Sequence, residues 1–255
     1  MKVEEYEKMY RFEEANWWYK GRRELAVEIL YRIRQSQGYK QLEILDLGCG
    51  TGKNLLSFQS FDDCRCHGMD ISMEALRFCR IRENLSLAQA SGEMLPFKSN
   101  AFDAVFALDV IEHIVDDKQA MREACRVLRP GGFLVLTVPA FQFLWSGHDQ
   151  AVHHKRRYDR AGLIRDLQSS QLTVEKSTYW NFFLFPAVAV FRLIRKSRDD
   201  EASASTDLPD LPAVANSMLL KMLRLEKALI LGGVALPAGV SILCVCRKGR
   251  DHERG

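Results

Sequence analysis

Two periods of apolar residues alternate along the chain. Leu25, Ile29, Leu30 and Ile33 recur at helical spacing and predict a helix over residues 22–34. Short apolar runs at 42–47, 65–70, 86–90, 102–108, 133–138, 172–178 and 240–247 predict strands. Between them, helical patterns start at residue 52 and cover 72–83, about 116–128 and 160–170. Arg129, Pro130, Gly131 and Gly132 predict a turn ahead of the fifth strand. Strands separated by single helices imply βαβ units and a parallel sheet covered on both faces.

The alternation stops after the sixth strand. Residues 181–196 are aromatic and aliphatic, and Arg192, Arg195, Lys196 and Arg198 follow on their flank. Residues 199–212 (DDEASASTDLPDLP) are polar and proline-bearing and read as a mobile loop. Residues 214–231 form a second amphipathic helix. A helical insertion, about 181–235, therefore falls between the last two strands. Residues 177–191 and 228–246 carry no charge, and the second reaches membrane-spanning length. Pro186 interrupts the first, and Gly232, Gly233, Pro237 and Gly239 punctuate the second, so neither reads as a membrane span.

At 255 residues, 47% apolar and 27% charged, the chain suits a globular domain with a full core. A net charge of +3, without a nucleic-acid-reading motif, gives no reason to expect nucleic acid. Seven cysteines without a CxxC pair argue against a disulfide framework and a zinc site, and for a reducing, cytoplasmic compartment. The charged first residues, MKVEEYEKMYRFEEAN, do not read as a targeting peptide.

The first strand runs directly into Asp46, Gly48, Gly50 and Gly52 in DLGCGTG. Glycines there permit positive φ and close approach of a ligand to the backbone. The G-x-G-x-G spacing matches neither a dinucleotide fingerprint nor a phosphate loop. Asp46 suits a ligand carrying ammonium and sulfonium charge. Asp70 closes the second strand, where a carboxylate accepts hydrogen bonds from ribose hydroxyls; its alternative role is a turn or cap before Ser72.

With ILDLGCGTG (44–52), HGMDIS (67–72), EMLPF (93–97), FDAVFALDVIEHI (102–114) and REACRVLRPGGFLVLTVP (122–139), the chain resembles a class I S-adenosylmethionine (SAM)-dependent methyltransferase. These runs stand in family order over residues 42–140. The resemblance implies an α/β fold: a doubly wound, seven-stranded, mostly parallel sheet with a reversed last strand; the chain is read here as one domain over 1–255, with residues 1–24 a candidate lid segment. The resemblance also implies S-adenosylmethionine as cofactor. Asp46, Gly48 and Gly50 would lie along its methionine part, Asp70 with Ile71 at the ribose, and Glu93, Met94 and Leu95 near the adenine. Asp109 would lie near the methyl end. Ser91 stands where the family often has an adenine-contacting Asp. Glu112 and His113 belong to a frequent family motif and are read here as fixing the following turn.

Methyl transfer needs an aligned nucleophile, and a hydroxyl acceptor also needs a base. After the fifth strand come Trp145, His148, Asp149, His153, His154, Lys155, Arg156, Arg157 and Tyr158. They read as loop residues converging on a pocket. His148 or His153 is the candidate base. Arg156 and Arg157 are candidates to hold an anionic part of the acceptor, with Tyr158 beside them. The alternative is solvated charges and caps for the helix at Arg160. Two histidines lack a visible third ligand, so no metal is expected. Trp17, Trp18 and Tyr19, ahead of the first predicted helix, form either a lid that touches the acceptor or a staple anchoring that helix.

Phe182, Phe183, Phe185, Val188, Phe191 and Ile194 beside basic residues suit an interfacial helix on an anionic membrane. A second stripe joins Leu219, Leu220, Met222, Leu223, Leu225, Leu229 and Ile230 with Lys221, Arg224 and Lys227. Packing of these helices within the chain, or across a homodimer, is the other reading. The expected function is O-methylation of a small or lipid-linked, anionic acceptor. The alternative is a non-catalytic SAM or nucleoside binder that assembles through its inserted helices. The glycine spacing counts against a nicotinamide dehydrogenase.

Overall fold

A computed structural model describes residues 3–38, 40–82, 85–196 and 211–249. Arg198 and residues 199–210 of the expected loop lie outside the described residues. The chain opens with helices α1 (Val3–Ala15) and α2 (Trp17–Ser36). Asn16 caps α2: its side-chain oxygen accepts from the Trp18 N–H at 3.0 Å. The helix thus starts at Trp17, not at residue 22, and Trp17, Trp18 and Tyr19 form its first turn.

There follow β1 (Leu42–Leu47), α3 (Lys53–Phe58), β2 (Cys64–Asp70), α4 (Met73–Ile81), β3 (Ser86–Gln89) and β4 (Phe102–Leu108). Next come α5 (Asp117–Val127), β5 (Leu128–Pro139), α6 (Gly147–Ala151), α7 (Arg160–Ser169) and β6 (Leu172–Trp180). The chain then forms α8 (Phe185–Lys196), α9 (Ala213–Leu231) and β7 (Ser241–Lys248). The strands form one seven-stranded sheet in the order β3-β2-β1-β4-β5-β7-β6. Only β7 runs antiparallel to its neighbours, β5 and β6. This is the expected doubly wound sheet with a reversed last strand, and the two inserted helices lie between β6 and β7. All of β4 is buried, because helices cover both faces of the sheet.

One turn moved. Leu128 pairs with Phe102 and Phe133 pairs with Ala104, so Arg129, Pro130, Gly131 and Gly132 bulge out within β5 instead of preceding it. His148 lies in the short helix α6, and His153 and His154 follow it.

The insertion is partly spent on the fold itself. Leu220, Leu223 and Ile230 of α9 are buried. Leu223 sits on Gly21 of α2, where an added Cβ would come within 2.5 Å of its Cδ1. Arg224 and Lys227 pair with Glu24 of α2 at 2.6 and 3.2 Å. Asn216 clamps the α1–α2 junction, accepting from Trp17 N–H at 2.8 Å and donating to the Ala15 carbonyl at 2.9 Å. Packing within the chain therefore accounts for much of the α9 stripe and for two of its three cations. Among the described residues, no helix is long and apolar enough to cross a membrane.

Leu223→Ala should cost about 2–4 kcal/mol, since it opens a cavity between α2 and α9 that neither helix can close. Urea unfolding measures this; a cost below about 1 kcal/mol would show that the two helices are not tightly packed there.

Candidate active site

The chain leaves β1 toward β2 on one side and β4 toward β5 on the other. Ligands bind beyond the carboxyl ends of strands at such a switch point, and a cleft of about 890 Å³ opens there. Its walls include Tyr6, Met9 and Phe12 of α1, Trp18, Tyr19 and Arg22 of α2, and the glycine loop.

Gly48 and Gly50 have φ of 71° and 56°, a conformation that side chains rarely adopt. The Gly50 N–H donates to Asp70 Oδ2 at 3.0 Å, and Ser72 N–H donates to Asp70 Oδ1 at 2.8 Å. Asp70 thus fixes the loop and caps the turn, while its carboxylate also lines the cleft. Ile71 lines it too, as do Ala90, Ser91, Gly92 and Glu93. Met94 is exposed and Leu95 is buried, and neither is on the cleft wall. The wall expected from 93–95 is formed by 90–93, because the Leu95 N–H turns to Glu123, 2.8 Å away.

Asp46 is 1% exposed and stands behind the cleft wall, and its Oδ2 has no hydrogen-bond partner. Burial pushes its pKa up to about 8, opposed by the charge of Arg22. The carboxyl expected to be a simple anion therefore needs a further cation nearby to ionise fully at neutral pH.

Arg22 stood in the candidate N-terminal run of the sequence, 16–23, but without a role. Its guanidinium bonds Asp109 at 2.5 Å and the Leu108 carbonyl at 3.3 Å. Thr137 donates to the other Asp109 oxygen at 2.9 Å. Asp109 is held at φ 56°, strained for a residue with a side chain. The signal for Arg22 was its four-residue spacing from Trp18, which puts both on one face once Asn16 is read as the cap. Glu13 was missed: buried, it accepts from Thr51 and pairs with Arg82 at 3.2 Å, which fastens α1 onto the glycine loop.

On the opposite wall stand His148, His153 and His154, with Glu112 and His113. His153 has φ 61°. Asp149, fully buried, organises this side. His154 Nδ1 lies 2.7 Å from its Oδ1, Arg157 Nε donates to the same oxygen at 2.8 Å, and Arg192 of α8 lies 3.5 Å from Oδ2. Burial alone would raise the Asp149 pKa, but the His154 bond and the Arg157 charge hold it well below the usual carboxylate range. Burial, with His154 alongside, pushes His113 down to about 4, so it is neutral at pH 7. Glu112 is fully buried with both carboxylate oxygens unpartnered, and burial raises its pKa.

The arginine fork is not where it was expected. Arg156 is spent on Asp117 at 2.6 Å and the Val115 carbonyl at 2.7 Å, and the Tyr158 hydroxyl donates to Asp117 at 2.8 Å. Neither lines the cleft. Arg157 does, but its donors serve Asp149 and the Ala140 carbonyl. Arg192 of the insertion lines the cleft as well, and its Nη1 donates to the Leu144 carbonyl and lies 3.5 Å from Asp149.

Residues 45–136 match the family described as Methyltransferase domain. An O-methyltransferase of Pyrenophora dematioidea is 32% identical over 43% of this chain and 43% of its own length. Over that relative and two others, the match spans 42–43% of the relative's length. A malonyl-[acyl-carrier protein] O-methyltransferase of a Marinomonas strain is 25% identical over 72% of this chain and 73% of its own. A SAM-dependent methyltransferase from Thermotoga maritima shares the fold, with a TM-score of 0.59, 16% identity and 96% of both chains covered.

The raised pKa of Asp46 carries a stability prediction. The folded state binds its proton more tightly than the unfolded state, so stability falls as pH rises from about 4 toward 8. Without ligand, Asp46→Asn should gain little in Tm at pH 4.5 and about 3–8 °C by pH 8. Thermal melts across that range check it; a gain independent of pH would contradict it.

Proposed function

We propose that the chain is a class I SAM-dependent methyltransferase that methylates a hydroxyl oxygen of a small or lipid-linked acceptor. The reading rests on one cleft that joins the Gly48–Gly50 loop and Asp70 on one wall to His148 and His153 on the other. Bound S-adenosylmethionine supplies an electrophilic methyl on a sulfonium. Asp109 on the cleft, and the Asp46 carboxyl behind its wall, whose ionisation a nearby cation would favour, suit its ammonium and sulfonium charge. Asp70 accepts from the ribose hydroxyls through lone pairs left after Gly50 and Ser72. Residues 90–93, with Ile71, flank the adenine. Asp109, held by Arg22 and Thr137, faces the methionine end.

His148 or His153 takes the proton of the acceptor hydroxyl as its oxygen approaches the methyl. Trp18 and Tyr19 exclude water from the reacting atoms. Leu184 and Val188 offer the acceptor an apolar wall, and Arg157 with Arg192, two cations around the one Asp149, leave net positive charge for an anionic group. Phe191, Leu193 and Ile194 stand exposed on α8, which suits an acceptor delivered from a lipid surface. The O-methyltransferase names of two relatives support an oxygen acceptor. Seven buried free thiols suit a reducing, cytoplasmic compartment.

Calorimetry should show Asp70→Ala binding S-adenosylmethionine about 10–100-fold more weakly, with the fold retained. Turnover to S-adenosylhomocysteine, assayed over a panel of hydroxyl acceptors and lipid extracts, should fall about 10²–10³-fold in His148→Ala or His153→Ala, with cofactor affinity unchanged. Full turnover in both variants would remove the base assignment. A wild-type chain that binds the cofactor but never turns it over would favour a non-catalytic binder.

A further inference from the structure

The methyl-transfer reading leaves Glu112, His113 and His154 without a task, although all three line the cleft. One ligand-type atom from each lies within 4.8 Å of the others. Glu112 is 0% exposed, and neither of its carboxylate oxygens has a hydrogen-bond partner. The His154 Nε2 comes to 3.7 Å of Oε1, too far for a hydrogen bond. Buried carboxylates are ordinarily paired or bound to a cation.

Both imidazoles are anchored from behind. Asp149 holds Nδ1 of His154 at 2.7 Å, which leaves Nε2 toward Glu112. The His113 ring bonds the backbone of His153. Asp149 is itself fixed by Arg157. A carboxylate or carbonyl behind each ligating histidine is the arrangement that fixes its orientation toward a metal. Two atoms bound to one ion at about 2.1 Å stand at most about 4.2 Å apart. The 3.7 Å separation of Nε2 and Oε1 meets this, and the widest pair of the three, within 4.8 Å, needs only a small side-chain movement to do so.

We propose that Glu112, His113 and His154 bind a divalent transition-metal ion with a coordination position open to the cleft. Two imidazoles with one carboxylate favour zinc, manganese, iron or cobalt over magnesium and calcium, which take oxygen ligands. The acceptor oxygen occupies the open position, and this part alone rests on the O-methyltransferase reading. Coordination makes the hydroxyl more acidic. Its proton passes to His148 or His153, the oxygen bonds the methyl carbon, and the carbon–sulfur bond breaks with its electron pair left on sulfur.

The test uses the full chain, stripped with a chelator and titrated with Co²⁺, whose visible absorption reports bound imidazole and carboxylate, then with competing Zn²⁺. One equivalent should bind. Glu112→Gln and His154→Ala should each weaken binding about 100-fold or more, while S-adenosylmethionine affinity, read by calorimetry, stays within about threefold. His67→Ala, on β2 beside Glu43 and not on the cleft wall, should change nothing. If Glu112→Gln does not fold, His113→Asn reads the same site. No stoichiometric Co²⁺ binding by the wild type, or unchanged binding in the variants, overturns the site. Metal bound as expected, but full turnover of a hydroxyl acceptor by the stripped chain, overturns the metal's part in the reaction and leaves the methyltransferase reading standing.

Discussion

One guanidinium lies among four acids. Arg22, on the second turn of α2, bonds Asp109 directly, and its charge is felt by Glu13, Asp46 and Glu112. These carboxyls are buried or nearly so; Arg82 also serves Glu13 and the charge of Arg157 reaches Glu112, yet burial still raises the pKa of Glu13, Asp46 and Glu112, so the cations do not fully compensate the acids in a low-dielectric interior. The cleft therefore has a standing deficit of positive charge. A ligand with a sulfonium and an ammonium relieves it on the Asp46 side, and a divalent cation would relieve it at Glu112. The same contact docks α2 against the end of β4, so removing the guanidinium would free Asp109 and leave the other acids with less compensation.

The site is assembled from segments far apart in sequence, and polar clamps hold each in place. Glu13 binds Thr51 and Arg82 and so lays α1 over the glycine loop. Asn216 of the insertion grips the joint between α1 and α2. Glu226 of α9, also buried, accepts from the Phe183 N–H at 3.0 Å and positions the approach to α8. Asp149 joins the loop after β5 to α8 through Arg157 and Arg192. The insertion thus serves the cleft: α9 braces the N-terminal helices, and α8 forms one of its walls.

Elements whose burial is complete were legible in the sequence. β1 and β4 begin and end where their apolar runs do, because a strand covered on both faces is filled mainly by apolar residues, with Asp46 and Asp103 the buried exceptions. The start of α2 was hidden, since Trp17, Trp18 and Tyr19 interrupt the apolar spacing, and only the Asn16 cap marks it. The bulge in β5 could not be told from a turn, since Pro130 and Gly131 suit both. Asp70 was placed by its position at a strand end. Arg156 and Tyr158 were misread because a local run of cations does not reveal that Asp117, on α5, takes them up. Glu112 was read as a turn residue, and its nearness to His154, from the segment after α6, comes only with the fold.

A crystal structure of the chain with S-adenosylhomocysteine tests the central claim most directly. The account predicts ribose hydroxyls on Asp70, the adenine beside residues 90–93, and the sulfur between Asp109 and the histidine wall. A ligand bound elsewhere, or bound with its sulfur turned away from His148 and His153, would contradict it.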